Sequence, residues 1–171
     1  MFSYENKKLF IFYLGGSVAG ANIEVHDVQF AVVERPEEAY EFLSSSWFGI
    51  RESLHIDAYG AVTWADGYRI SLQPEPQTTD LRLYFINMGG YIQGSLKEEH
   101  EFTFLVAATD EIAKKRAKQV LLSGYKHQHR DNIMEVDDCI ALEQLNGLYI
   151  HLSRSDDGES VTATWQGYKR I

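Results

Sequence analysis

An internal duplication constrains the fold of this chain more than any other feature of its sequence. Residues 9–16 resemble residues 83–90, and glycine, histidine and phenylalanine positions recur in the same order along both halves. The matched pairs are Gly15 and Gly89, Gly20 and Gly94, His26 and His100, and Phe30 and Phe104. Two later pairs, Gly49 with Gly124 and Gly67 with Gly147, are spaced further apart and indicate an insertion within residues 126–131. A repeated order of this kind predicts two copies of one structural unit.

Each copy predicts the element order strand, strand, helix, strand, strand. An apolar, aromatic stretch opens each copy, and the pattern Gly-Gly-x-x-x-Gly after it predicts a loop. In the second strand His26, Val28, Phe30 and Val32 alternate with polar residues and share one face. Helices are predicted from Pro36 to Trp47, and from Thr109 or Asp110 to Gly124. Later strands are predicted over 54–59, 68–72, 134–142, 148–152 and, in the tail, 161–165.

These elements predict an α+β protein made of duplicated ββαββ units. The sheet is expected to be mostly antiparallel, with one helix per copy packed on it and both copies sharing a single layer. Residues 1–73 form the first copy, and residues 80–171 form the second copy together with a C-terminal strand. The short connection between the copies favours one compact body over two separate domains.

Charge and cysteine content limit the binding partners and the cellular compartment that the sequence predicts. The formal net charge of −9 disfavours binding to nucleic acid or to an anionic membrane surface, since both are polyanionic. Cys139 is the only cysteine, so the chain forms no internal disulfide, as is usual in a reducing compartment. Residues 9–14 could pass for part of a secretion signal, but the same pattern recurs in mid-chain, which indicates a strand. We therefore expect a cytoplasmic protein without a membrane span.

Several segments resemble a bacterial domain-of-unknown-function family, the one numbered 1543. They comprise residues 14–27, 47–49, 54–59 and 66–68, and the motif Leu-His-Ile-Asp at 54–57 is replaced by Met-Glu-Val-Asp at 134–137 in the second copy. The family's domain is about the size of one copy here and is often found twice. The resemblance implies this duplicated architecture. It implies no activity and no catalytic residues.

Histidines are the main candidates for chemistry. His26 and His100 lie on the more apolar face of equivalent strands, where a histidine that fixes a turn by bonding a loop carbonyl is the first interpretation. The rival interpretation is a divalent-metal site shared by the copies, with His151 on a late strand as a further ligand. The element order, counted from the second strand, is similar to the paired modules of vicinal oxygen chelate enzymes, whose metal ligands come from first and last strands. The carboxylate usual at the late positions is missing here.

His55 and Asp57 form a second candidate, because at positions i and i+2 of a strand they share a face. They could form a dyad or hold a metal, but a pair on a half-exposed strand surface is the simpler interpretation. His127 and His129 fall in the insertion, where a polar loop is expected.

No nucleophile, base and orienting group can be assembled from these residues. The sequence therefore favours a non-catalytic module that binds a small molecule of unknown identity or a protein. The alternative is a metal-dependent enzyme acting on a small molecule. A homodimer is also expected, because four apolar residues in succession, 9–12, predict a strand buried on both faces.

Overall fold

The structure is a computed structural model, and it describes residues 4–91, 94–121 and 134–171. The first copy contains β1 (Lys8–Gly16), β2 (Val25–Val33), α1 (Tyr40–Ser46), β3 (His55–Ala61), β4 (Trp64–Ala65) and β5 (Tyr68–Gln73). The second contains β6 (Arg82–Tyr91), β7 (Glu98–Ala107), α2 (Asp110–Val120), β8 (Met134–Leu142), β9 (Gln144–Leu145) and β10 (Leu148–Arg154), and β11 (Trp165–Arg170) follows. A 3-10 turn, Pro36–Ala39, leads into α1. The insertion predicted within 126–131, with its two histidines, and Gly124 lie outside the described residues.

The two copies have the same strand pairing. β1 pairs antiparallel with β2 and β3, and β6 pairs antiparallel with β7 and β8. The duplicated, mostly antiparallel α+β architecture predicted from the repeat is confirmed. The expected single layer is wrong, since the strands form three sheets, ordered β11-β3-β1-β2, β7-β6-β8 and β4-β5-β10-β9. The third sheet joins a hairpin from each copy through the antiparallel pair of β5 and β10.

Each helix covers the outer face of its own copy's sheet. In the first copy Leu43 of α1 packs with Phe12 and Leu14 of β1. In the second copy Ala113 and Ala117 of α2 pack against β6 and β7. The hydroxyl of Thr109 caps α2 by accepting from the Ile112 N–H, as the sequence predicts. Among the described residues, no helix is long and apolar enough to cross a membrane.

A central core lies between the inner faces of the sheets and takes side chains from both copies. Leu9 and Ile11 of β1 belong to it, as do Leu83 and Phe85 of β6. Because β1 also carries Phe10 and Phe12 into the α1 layer, the chain itself buries both faces of this strand. The apolar run of β1 therefore needs no second subunit to cover it. A homodimer stays a prediction, but burial of β1 no longer supports it.

Two corrections concern the ends of elements. Gly15 and Gly16, expected to begin a loop, are the last residues of β1 and pair with β2. The C-terminal strand was predicted over residues 161–165 but spans Trp165–Arg170. It pairs with β3 of the first copy. The tail therefore returns from the second copy to the first, a long-range pairing that local sequence patterns do not encode.

A turn in each copy hydrogen-bonds to the edge strand of the other copy. Asp66 and Asn146 both take left-handed backbone conformations, with φ of 53° and 51°. The Asp66 carboxylate accepts from the Val106 N–H on β7, and the Asn146 side-chain oxygen accepts from the Val32 N–H on β2. Each unpaired edge N–H is thereby satisfied by the other copy, which couples the two halves.

Candidate functional site

The candidate site lies on the inner face of the first sheet, around Gly15. Gly15 is in register with His26 on β2 and with His55 on β3. Residues directly opposite each other on antiparallel strands project to the same face. The two imidazoles therefore leave the sheet on the same side, separated by a residue that has no side chain.

Glycine is required at position 15 because the neighbouring side chains occupy the space above it. A Cβ atom there would lie 2.5 Å from His55 Nε2 and 3.0 Å from Asp57 Oδ2. Real Cβ atoms do not approach other atoms this closely, so any larger residue would displace the imidazole or the carboxylate. The absence of a side chain at Gly15 is thus what lets the groups on β2 and β3 converge.

A shift in strand register brings Asp57 into the same space. Leu14 pairs with Ile56 and Tyr13 pairs with Ala58, which leaves Asp57 without a partner on β1. An extra residue of this kind is a β-bulge, and bulges redirect side chains next to functional sites. Asp57 Oδ1 lies 3.3 Å from His55 Nε2 as a result.

Glu24 completes what we call the carboxylate–histidine site, formed by Glu24, His26, His55 and Asp57. His26 Nε2 lies 3.2 Å from an oxygen of Glu24 and 3.2 Å from an oxygen of Asp57. His55 Nε2 lies 3.5 Å from Glu24 Oε1. Ligand atoms of Glu24, His55 and Asp57 all lie within 4.8 Å of one another. His26 is not part of that group of three, but it contacts both carboxylates from the side of β2.

A backbone carbonyl selects the tautomer of the neutral His55 ring. Its ring is 1% exposed, and Nδ1 lies 3.0 Å from the carbonyl oxygen of Ser53. Since a carbonyl only accepts, Nδ1 must carry the proton, and in the neutral ring Nε2 then presents a lone pair. Nε2 is buried and makes no hydrogen bond to the described residues, although two carboxylates lie near it. In the neutral ring this lone pair faces two carboxylates, an arrangement that a proton on Nε2 or a bound cation would relieve.

Two tyrosines hold the imidazoles in place. The ring of Tyr13 stacks on His26, with centroids 5.2 Å apart and planes 12° apart. The ring of Tyr168, from β11, stacks on His55 at 4.1 Å and 28°. Burial raises the pKa of the Tyr13 phenol and the negative charge of Asp57 raises it further, so Tyr13 stays neutral near pH 7. Ring stacking thus orients both imidazoles. Within the described residues, no covalent bond or backbone hydrogen bond constrains their Nε2 atoms.

The N···O separations in the site are longer than those of charge-assisted hydrogen bonds. Charge-assisted N–H···O bonds are about 2.7–2.9 Å long, whereas the four N···O separations here are 3.2, 3.2, 3.3 and 3.5 Å. Zn²⁺ binds nitrogen and oxygen at about 2.1 Å, so two ligands of a tetrahedron lie about 3.4 Å apart. The observed separations are close to that value, and the ligand atoms of Glu24, His55 and Asp57 could share one ion.

The structure brings together only part of the predicted histidine set. Among the described residues, His26, His100 and His151 do not form a group with all ligand atoms within 4.8 Å. His100 Nε2 lies 3.5 Å from Glu98 of its own copy. His151 Nε2 lies 2.7 Å from the Glu75 carbonyl oxygen, a contact typical of a structural histidine. His26 meets the second candidate pair, His55 and Asp57, and the interpretation of His55 as a surface residue is wrong, since it is buried.

Sequence reasoning missed Glu24 and the two stacking tyrosines. A signal for Glu24 was present, because Glu-x-His at 24–26 recurs as Glu98 and His100 in the second copy. Tyr168 had no such signal, since its position depends on the tail returning to β3.

Cys139 on β8 takes no part in this site. Burial raises the pKa of its thiol, which lowers the thiolate fraction at neutral pH, while the nearby Lys114 acts in the opposite direction. We expect an aromatic disulfide reagent at pH 7.5 to modify the folded protein roughly tenfold more slowly than the urea-unfolded chain. Absorbance of the released thiolate measures both rates. Equal rates would contradict a protected thiol.

Comparison with known proteins places both copies in one family. The family Domain of Unknown Function (DUF1543) matches residues 21–72 and 95–145, more than half of the chain. This chain belongs to the DUF1543 family. The two matched segments confirm the tandem duplication, and the first contains all four residues of the carboxylate–histidine site. The chain is also similar to the crystal structure of a protein Il1583 from Idiomarina loihiensis, at 31% identity and a TM-score of 0.73, over 95% of this chain and 96% of that one. No curated protein matches the chain.

Proposed function

We propose that this DUF1543 protein is a metal-binding module that holds one divalent transition-metal ion in its first copy. The ligands are Nε2 of His26 and His55 and the carboxylates of Glu24 and Asp57. The observation that carries the proposal is the buried Nε2 of His55, which has no hydrogen bond within the described residues and faces two carboxylates.

The charges of the site support a divalent ion. Two ionised carboxylates near each other repel, and a lone pair between them adds to the negative potential. Protonation of the imidazoles would relieve part of this, but it would leave N···O separations longer than those of charge-assisted hydrogen bonds. A divalent cation neutralises both carboxylates and uses both lone pairs.

The donor set indicates the type of metal. Imidazole nitrogen suits Zn²⁺, Co²⁺, Ni²⁺ and Cu²⁺, whereas Ca²⁺ and Mg²⁺ prefer oxygen donors only. Zn²⁺ accepts such a mixed set of imidazole nitrogen and carboxylate oxygen. The hydrogen bond of His55 Nδ1 to the Ser53 carbonyl is the kind of outer-shell contact that orients a metal-bound histidine.

The second copy lacks a histidine at the position that corresponds to His55. Glu135 replaces His55 in the repeat, so that copy has one imidazole fewer and one carboxylate more. Transition metals bind such an oxygen-rich set less tightly than a two-imidazole set. We therefore expect one tight site per chain. A metal-binding module is one form of the non-catalytic binding module favoured by the sequence.

The test is a metal titration of tag-free protein in which the two copies serve as matched controls. We expect one Zn²⁺ per chain by calorimetry, and His26→Ala to weaken this binding at least tenfold, because one of two nitrogen ligands is lost. His100→Ala removes the equivalent histidine of the second copy and should leave the tight site unchanged. Metal-free behaviour of the parent protein, or equal losses in both variants, would refute the proposal.

A further inference from the structure

The C-terminal strand β11 passes along the edge of the carboxylate–histidine site. β11 pairs antiparallel with β3, and the register of this pair shifts between Gln166 and Lys169. Gly167 and Tyr168 therefore both lie opposite Asp57, and two residues opposite one form a β-bulge. Asp57 is also the extra residue of the bulge between β3 and β1. Both strands that flank β3 thus depart from regular register at the same residue.

The bulge in β11 places the ring of Tyr168 on the imidazole of His55. The centroids of the two rings lie 4.1 Å apart, with 28° between the ring planes. The His55 side chain is 1% exposed, whereas Tyr168 is 65% exposed. Tyr168 therefore lies on the solvent side of the imidazole and covers a ring whose Nε2 atom lies near Glu24 and Asp57.

The other ring contacts described for β11 lie in the α1 layer, on the opposite face of the sheet. Trp165 stacks on Tyr59 with centroids 5.7 Å apart, and both rings pack against that layer. Lys169 Nζ lies 5.0 Å from the centroid of the Tyr40 ring, which packs against the same layer. Among these contacts, the ring of Tyr168 is the one that joins β11 to the carboxylate–histidine site.

The exposure of β11 makes its docking sensitive to a single contact. β11 is an edge strand of its sheet, and none of its six residues is buried. Segments with few buried contacts open locally at a small free-energy cost while the core strands stay folded. A contact that is strengthened at His55 therefore changes the fraction of time that β11 is docked on β3.

We infer that metal binding and the docking of β11 are coupled, and that Tyr168 is the positioning residue through which they act. This coupling rests on the proposed metal site and adds a conformational response to it. A metal on Nε2 fixes the His55 ring relative to the two carboxylates, and a ring that is already fixed costs less entropy to stack against. By linkage, a docked β11 strengthens metal binding by the same factor by which the metal strengthens docking.

Hydrogen exchange measured by mass spectrometry tests the response of β11 in the full chain. We expect saturating Zn²⁺ to slow amide exchange within residues 164–171 about two- to tenfold, the range that one ring stack supports. The exposed surface of α2 belongs to the other copy and should exchange at the same rate with and without Zn²⁺.

Three variants separate the stacking ring from general loosening of the strand. Tyr168→Ala removes the ring, so it should abolish the slowing by Zn²⁺ and weaken Zn²⁺ binding about two- to tenfold. Tyr168→Phe keeps the ring and should restore both properties to those of the parent protein. Lys169→Ala loosens β11 in the α1 layer only, so exchange should be faster in both states while Zn²⁺ still slows it.

The outcomes distinguish a failure of the coupling from a failure of the metal site. Protein that binds Zn²⁺ with no change of exchange in β11 overturns the coupling and leaves the metal site standing. Equal losses in Tyr168→Phe and Tyr168→Ala would show that the ring does not carry the effect, which also overturns the coupling alone. Protein that binds no Zn²⁺ overturns the metal site and the coupling together.

Discussion

Replacing His55 by asparagine is expected to lower the Zn²⁺ affinity of the protein by about 100-fold or more. A structural zinc site of four ligands contributes about 10–16 kcal/mol, and an equal share for one ligand, about 2.5–4 kcal/mol, corresponds to roughly 70- to 900-fold. The asparagine amide can still donate to the Ser53 carbonyl in place of Nδ1. The variant therefore removes Nε2 and keeps the local backbone contact. Calorimetric titration with Zn²⁺ measures the change.

His151→Ala is the matched control for this substitution. His151 contacts a backbone carbonyl in the third sheet and lies outside the carboxylate–histidine site, so its removal should not alter Zn²⁺ affinity. Zinc should also stabilise the parent protein by about 2.7 kcal/mol at a free concentration 100 times its dissociation constant. That stabilisation should fall to about 0.4 kcal/mol or less in His55→Asn at the same concentration. Unchanged Zn²⁺ affinity in His55→Asn would rule out Nε2 as a ligand.

Asp66→Ala is expected to lower the free energy of unfolding by about 2–3 kcal/mol, the largest stability effect predicted at a polar residue. Its carboxylate accepts from the Val106 N–H and forms a bidentate pair with Arg116, at 2.6 and 2.8 Å. The pair also raises the pKa of Arg116. Alanine leaves the β7 edge N–H and the guanidinium without this partner. Arg116 is 40% exposed, so water recovers part of the loss.

The equivalent residue of the other copy provides the comparison for Asp66. Asn146→Ala removes one neutral hydrogen bond to the Val32 N–H, at 3.2 Å, and should cost about 1 kcal/mol. Urea denaturation followed by circular dichroism measures both variants. The decisive expectation is that Asp66→Ala loses more unfolding free energy than Asn146→Ala. An Asn146→Ala variant less stable than Asp66→Ala would mean that the turns do not couple the copies as the structure indicates.

Local patterns predicted most of the elements. Alternation placed His26, Val28 and Phe30 on one face of β2, and Phe30 lies in the core shared by both copies. The Thr109 cap and the buried Ala113 and Ala117 of α2 also agree with the structure. The helical spacing of Ala113 and Ala117 also predicts a buried Val120, but Val120, the last residue of α2, is 54% exposed.

The candidate site was predictable only in part. His26, His55 and Asp57 were all recognised as metal-ligand types, but in two separate groups. Their convergence depends on β1 lying between β2 and β3 and on the bulge at Asp57, neither of which follows from spacing along one strand. Glu24 precedes the strand, where periodicity does not apply, and so it was overlooked.

The sequence by itself determined the duplication, the α+β class and the type of donor atoms available for a metal. Those properties depend on residue identity and on the periods of strands and helices, which are local. Tertiary structure decided which donors meet and where the tail returns. Such features arise from pairings between distant segments. The same residues would satisfy other pairings as well, and burial of both faces of β1 selects one of them.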